Sequence, residues 1–384
     1  MKILVVGKPM YNYYLPLVDF PQDKDVYNID KAIESIYGEA NVAAYMLGSY
    51  GLDVSYTGII GNDEAGSKFK KVLESKNIDT KFMEVDYESN TDIVYSIIKT
   101  EKSGFAKIKV NNMKKDLNKF KYDFTPDYIV IDDKDFGGTN AALNNYPNVP
   151  TIFYGDKPTK DAVNMAKRSD YVVCNINFAS KITGLEIVLN KPKTIVALYQ
   201  KLVDLYQGNW VVTLDKHGVI YCDDMQVKMI PGILTTVVDS EKAAGIFFGT
   251  FAYSIINNFG IEESVRLANM NASKSLDVIG TTTGFMELGD LLSNRKVKEP
   301  TNTVQNVQVQ NNQINGQINQ NNVQTINVNN QVNTVREVNN VNTINNVSNM
   351  NNANTPVVTS SNNIESLEVN NSNNVQWYFF KYFT

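Results

Sequence analysis

An α/β fold built on a mostly parallel sheet is predicted by three features of this 384-residue chain. Short apolar runs recur before residue 300: YIVID at 128–132, TIFYG at 151–155, YVVCN at 171–175 and WVVTL at 210–214. They are rich in β-formers, and unbroken apolarity of that length fits strands buried on both faces. Helix-length stretches separate them, and strands alternating with helices form parallel crossovers. Hydrophobic residues make up 43% of the chain, enough for a sizeable core, and the pattern stops abruptly near Pro300.

Taken in order, residues 3–6 read as a buried strand from their apolar run, and 41–50 as a helix that Gly51 stops. SYTGIIG at 55–61 reads as one strand. Residues 64–76 show an amphipathic helical pattern, with Phe69, Val72 and Leu73 on one face. TDIVYSIIKT and FAKIKV flank a Gly104-containing turn and read as a hairpin.

Composition narrows the function. The formal net charge of −5 argues against a nucleic-acid partner. Cys174 and Cys222 lie in apolar runs and read as two buried thiols of a reducing compartment. No Cys/His spacing suits zinc, and His217 is the only histidine, which disfavours Ser-His-Asp and Cys-His chemistry. The N-terminal apolar run is too short for a signal peptide, and no apolar stretch approaches the roughly 20 residues of a membrane span. A cytoplasmic protein without a membrane partner is the expectation.

From residue 298 the chain is Asn/Gln-rich and expected to be disordered, because so little apolar surface cannot offset the entropy of ordering. Val332, Val335, Val338, Val341, Ile344 and Val347 recur every third residue, a period of neither strand nor heptad. Repeat expansion is the bland explanation and a self-associating segment the sharper one. The last residues, QWYFFKYFT, read as a docking motif, a back-folding anchor or a frayed terminus.

The most informative stretch is VVDSEKAAGIFFGTFAYSI at 237–255. Upstream, YGEANVAAYMLGSYGLDVSYTGIIGNDEAGSKFKKVLESKNIDT carries Asn41, Ala43, Gly61, Asn62, Asp63, Glu64, Gly66 and Ile78-Asp79-Thr80. VVTLDKHG at 211–218 and NASKSLDVIGTTTGFMEL at 271–288 complete the set. Together, over about residues 1–296, they resemble the ribokinase/PfkB family of carbohydrate kinases. The family signature D-T-x-G-A-G-D-x-F falls without a gap on Asp239, Ser240 and Phe247, and its helix on Gly249 and Phe251. The resemblance implies a doubly wound α/β domain over 1–297. A small β lid from about 13–30 and 91–112 would close over the sugar and form a homodimer contact. It also implies ATP and a small sugar or nucleoside as ligands. Asn12, Gly38, Glu39 and Asn41 fall at the sugar, and Asn175, Thr213, Asp215, Gly218 and Asn271 at the nucleotide.

Set against that family, the catalytic chemistry is missing. Phosphoryl transfer to a hydroxyl needs a carboxylate to take the proton, and backbone N–H groups facing the transferred charge. The family does both with Gly-Ala-Gly-Asp. Here Lys242, Ala243, Ala244 and Gly245 stand in its place, and Gly245 replaces the base. Ala243 and Ala244 keep part of the turn, and Lys242 adds a charge that favours an anion. The family's Asn-x-x-Glu, whose Glu organises Mg2+, aligns with Asn175 and Phe178, which argues against Mg2+. The sugar-binding Asp becomes Asn12, and a Gly-Gly pair becomes Ile36-Tyr37, expected to crowd the sugar loop. Asp215 replaces a family glycine, while His217 reads as solvent-facing loop.

Three readings follow. One is a catalytically impaired pseudokinase that binds nucleotide or sugar, or acts as a scaffold. Another is an active kinase with a displaced base at Asp239, Glu241 or Asp156. The third is an interaction protein that works through its tail.

Overall fold

The computed structural model describes residues 1–24, 26–29, 31–100, 104–117 and 122–295, with 357–361, 364–370 and 376–377 in the tail. The chain opens with β1 (Lys2–Val6), β2 (Met10–Leu17), β3 (Ile33–Ile36), α1 (Glu39–Ser49), β4 (Asp53–Thr57), β5 (Ile59–Gly61), α2 (Glu64–Glu74) and β6 (Glu84–Asp86). Then come β7 (Asp92–Lys99), β8 (Phe105–Val110), β9 (Tyr128–Asp132), α3 (Phe136–Asn145), β10 (Thr151–Gly155), α4 (Lys160–Ala166), β11 (Tyr171–Asn175) and α5 (Ile176–Thr183). It continues through α6 (Pro192–Leu205), β12 (Asn209–Thr213), β13 (Gly218–Asp223), β14 (Gln226–Pro231), α7 (Ala243–Ile256), α8 (Ile261–Lys274) and α9 (Leu288–Ser293).

Eight strands form one sheet in the order β14-β13-β12-β11-β10-β9-β1-β4. Neighbours from β4 through β12 are parallel, and β13 and β14 add an antiparallel edge. Successive residues point to opposite faces, so each strand feeds two cores. Ile3, Val5, Val130, Ile152 and Val173 pack with α1, α7 and α8 on one face. Leu4, Val6, Ile131, Phe153 and Val172 pack with α3 to α6 on the other. That double covering explains why these strands are apolar without alternation, and it bears out the α/β expectation.

The predicted single strand at 55–61 is in fact two strands. A Cβ on Gly58 would sit 2.4 Å from the Gly7 carbonyl and 2.7 Å from the Pro9 ring. The chain therefore passes hard against the loop after β1, and β5 leaves the large sheet to pair with β6. The helix expected over 64–76 is α2, where Asp63 caps the start by accepting from the Gly66 N–H and Phe69 and Leu73 are buried.

A second sheet, β3-β2-β7-β8, lies over the ends of the first. Its strands begin earlier than expected, at Met10, and β2 lies between β3, at 33–36 and beyond the expected 13–30, and β7. Facing pairs Asn12–Val94, Tyr14–Ser96, Ser96–Lys107 and Val94–Lys109 put these side chains on its inner face. On the outer face the Tyr13 and Tyr95 rings stack, with centroids 5.6 Å apart.

Of the two thiols, Cys174 is buried as expected, whereas Cys222 is only half-buried; both are free. In the tail, 357–361, 364–370 and 376–377 pair as a three-stranded antiparallel sheet; the rest of the stretch expected to be disordered lies outside the described residues. The triplet positions 332–347 and the aromatic residues after Trp377 lie outside the described residues.

Tyr56, fully buried on β4, ties the first core to the loop after β1. Its hydroxyl lies 2.9 Å from the Gly7 carbonyl and 2.6 Å from Asn41 Oδ1. Tyr56→Phe leaves both acceptors without that donor and is expected to cost about 1–3 kcal/mol in urea unfolding. A loss below a few tenths of a kcal/mol would contradict this role.

Candidate ligand site at the carboxyl edge of the sheet

From β1 the strand order runs outward to β4 on one side and to β9 on the other. Such a reversal leaves a crevice beyond the carboxyl ends of the strands, where open α/β sheets bind ligands. The loops after β1, β9, β10, β11 and β12 and the first turns of α1 and α7 meet there, under the inner face of the second sheet. A cavity of about 50 Å3 at the β1 and β9 ends is lined by Lys8, Pro9, Ile59, Met113, Lys134 and Asp135, among others.

Gly245 is buried in the first turns of α7. A Cβ there would lie 2.9 Å from Val42 Cβ on α1, with the Val42 methyls at 3.1 and 3.2 Å. The position aligned with the catalytic base thus lacks a carboxylate and faces the neighbouring helix. Ala243 and Ala244 are half-buried at the start of α7, and no side chain caps this end. Helix N-termini of this kind present N–H groups to anions.

The loop before α7 is held by its own side chains. Asp239 accepts from the Glu241 N–H through Oδ1 (2.9 Å) and from the Gly280 N–H through Oδ2 (3.0 Å). Lys242 does not face an anion: it is buried, and its Nζ donates to the carbonyls of Val278 (2.5 Å) and Thr283 (3.2 Å). Burial pushes this ammonium down to about 8, against the pull of Asp239 and Asp277. The Glu241 side chain is fully buried and pairs with Lys107 Nζ at 2.9 Å. Burial raises the Glu241 carboxyl, and Lys107 opposes the rise.

On the expected sugar side, Asn12 is buried on β2 and accepts from the Ser96 hydroxyl at 3.1 Å. Tyr37 is buried, its hydroxyl 3.0 Å from Lys107 Nζ and its ring 4.8 Å from Lys109 Nζ. Gly38 has φ 109° and opens α1, a backbone state that suits glycine. Asn41 is wholly engaged: its Nδ2 donates to the carbonyls of Lys8 (2.8 Å) and Tyr37 (2.6 Å), and its Oδ1 accepts from Tyr56. These bonds staple the first turn of α1 to the loop after β1.

Glu39 instead joins a charged cluster at the ends of β9 and β10. Lys134 Nζ lies 2.5 Å from Asp133 Oδ1, 3.3 Å from Glu39 Oε2 and 3.6 Å from Asp156 Oδ2. Burial alone would lower the Lys134 ammonium; the carboxylates of Glu39, Asp132, Asp133 and Asp156 outweigh it and hold the charge. Asp132 accepts from the Ala40 and Lys134 N–H groups, so the cluster also ties α1 to the sheet.

The expected nucleotide residues divide. Asn175 caps α5, accepting from the Phe178 N–H, and donates to Asp156 Oδ1 at 3.0 Å. Phe178 is buried, with its ring centroid 6.5 Å from that of Phe153, in the second core and not at the edge. Thr213 ends β12 half-buried, and Asp215 and His217 are exposed. Gly218 is fixed by close approach: a Cβ would meet the Ile230 carbonyl at 1.9 Å. Asn271 does not reach the edge. It is buried, donates to Tyr50 and Thr250 hydroxyls, and accepts from the Met286 N–H.

Lys107 and Lys134 were not singled out from sequence. The signal for Lys134 was present, since IDDKD sets an acidic run directly after an apolar strand. Lys107 carries no local signal, because its partner Glu241 lies far along the chain.

Gly245→Asp is expected to destabilise the protein by about 1–3 kcal/mol through overpacking and to add no ATP turnover. A strong gain in turnover from that single change would refute the packing against Val42. Asp135 supplies a pH test. Its carboxyl caps α3 through the Gly138 N–H, and burial pushes it up to about 6. Relative to an ordinary value of about 3.9, folding takes up a proton there. The stabilising contribution is full below about pH 4 and disappears as pH rises through about 6. Asp135→Asn should therefore gain in melting temperature relative to wild type between those limits; parallel profiles would contradict it.

The sequence model described as pfkB family carbohydrate kinase matches residues 2–133 and 134–287. Ribokinase of Lactococcus lactis is 29% identical over 163 residues, covering 42% of this chain and 50% of that protein. The bifunctional protein HldE of Helicobacter pylori is 25% identical over 316 residues, 77% of this chain and 66% of that one. The chain thus spans half to two thirds of these curated relatives. Arabidopsis thaliana ribokinase, solved with ribose and ATP, superposes with a TM-score of 0.63 at 16% identity, over 76% of this chain and 97% of that one. The fold is ribokinase-like, and with most of its length matched the chain belongs to the PfkB family of carbohydrate kinases.

Proposed function

We propose that this PfkB-family chain is a catalytically impaired member that binds a nucleotide at the carboxyl edge of its sheet. The observation that carries the reading is Gly245, which has no side chain and rests on Val42. Loss of the proton acceptor alone costs orders of magnitude in rate. The uncapped start of α7 keeps an anion-binding end for phosphates. The ATP and ribose in the Arabidopsis ribokinase structure make a nucleotide and a small sugar the ligands to try. The apolar outer face of the second sheet, with Tyr13, Tyr95 and Ile108, supports a homodimer through the lid.

One observation favours a second reading, an active kinase with a displaced base. Asp239 spends both oxygens on backbone N–H groups, and Asp156 is held by Asn175 beside Lys134. Glu241 is left as the buried carboxyl under the lid with raised proton affinity.

Thermal unfolding with ATP, ribose and both, alongside an ADP-release assay over sugars and nucleosides, separates the readings. ATP is expected to raise the midpoint with no ADP released above the blank. Sugar-dependent ADP release that Glu241→Gln abolishes would sink the impaired reading and select the second. Absence of any shift with nucleotide would leave the scaffold role.

A further inference from the structure

The four strands of the second sheet join the α/β body along a single edge. β2 enters from the body at Met10 and β7 at Asp92, and these two residues face each other. β3 returns to the body at Ile36, opposite Tyr11, and β8 at Val110, opposite Ile93. That edge is pinned. Lys8 Nζ lies 2.6 Å from Asp92 Oδ2, and Asp92 Oδ1 accepts from the Asn112 and Met113 N–H groups. A sheet joined to its body along one edge can turn about that edge, and its contacts further out decide whether it stays down.

Polar contacts reach across from both outer strands, and they differ in kind. On β3, Glu34 pairs with Lys68 of α2 at 2.8 Å, with both side chains partly exposed. The Ser35 hydroxyl lies 2.6 Å from the Thr281 hydroxyl and 3.1 Å from that of Thr282. Water replaces neutral hydroxyl contacts and exposed ion pairs at little cost. On β8, Lys107 stands three residues in from Val110, about 10 Å from the pinned edge. Its Nζ lies 2.9 Å from Glu241 Oε1 in the loop before α7. The Glu241 side chain is fully buried, and Lys107 is the one cation paired with it among the described residues. Burial raises the Glu241 carboxyl, Lys107 opposes the rise, and Asp239 adds to it. With the sheet down, the carboxylate therefore depends on a charge that the sheet itself supplies. With the sheet raised, water serves both ions. A buried charge that loses its partner costs far more than the intact pair or an uncharged replacement of it.

We propose that Lys107 and Glu241 form a latch: their ion pair holds the second sheet against the loop before α7, and the crevice between them opens to solvent when the pair parts. The latch rests on this contact alone and holds whichever ligand the crevice takes.

The test reads solvent access beneath the sheet in the full-length protein. Val94 lies on the inner face, 1% exposed, and Val94→Cys places a thiol there with little change in volume. Labelling by iodoacetamide is followed peptide by peptide by mass spectrometry. The pH is held at 8, well above the usual Glu range of about 4.3, so that protonation does not stand in for a lost cation. Cys174, fully buried on β11 of the large sheet, is the internal control. In the Val94→Cys background, Lys107→Met should speed labelling at position 94 at least about tenfold and leave Cys174 unchanged. Adding Glu241→Gln to Lys107→Met should return most of that gain, because the stranded charge is gone. Equal labelling at position 94 with and without Lys107→Met would overturn the latch. So would equal acceleration at Cys174, which marks general unfolding. So would a double variant that labels as fast as Lys107→Met alone, or faster. If Lys107→Met does not fold, Lys107→Gln takes its place in the same cycle.

Discussion

The backbone of α7 can lie directly on α1 because positions 245 and 249 carry no side chain. A Cβ on Gly245 would press on Val42, and one on Gly249 would come within 2.8 Å of Met46 Sδ and 3.1 Å of Ala43 Cα. These two helices, with α8, cover one whole face of the sheet. Their close approach sets where the loop before α7 meets the first turn of α1, and so the geometry of the carboxyl edge. Gly245, at the position where the family signature carries an Asp, is thus also a contact in this packing.

Around that contact, polar groups at the edge are turned to internal use. Asn41 binds the backbone of the loop after β1, Asp239 holds the loops at 241 and 280, and Lys242 gathers the carbonyls of 278 and 283. Buried donors and acceptors cost free energy when unpaired, so such networks fix one arrangement of the loops. Lys107 extends this order to the second sheet by reaching Glu241 across the crevice.

The strands of the large sheet were legible because burial on both faces leaves an unbroken apolar run, a local property. The break at Gly58 was not, since it arises from the approach of Gly7 and Pro9, which no window around residue 58 contains. Asn41 and Asn271 stand where ligand contacts are expected, yet the groups an amide meets depend on distant chain, and here both bond within the protein. The IDDKD run places acids beside Lys134, but only the meeting of α1 with the ends of β9 and β10 adds Glu39 and Asp156 to Asp133 as its partners. Gly245 stands out in the sequence as a glycine where the family signature has an Asp, but its contact with Val42 required the helix crossing.

Phe178 has a consequence for how this chain could change. Its ring fills the second core so tightly that a Cβ on Gly155 would meet it at 2.8 Å. An acidic side chain there would exchange a packed aromatic for a charge in an apolar interior, with a cavity beside it. A Glu at this position is therefore a step down in stability before any gain the carboxylate could bring, and the packing of the second core alone favours keeping the phenyl ring.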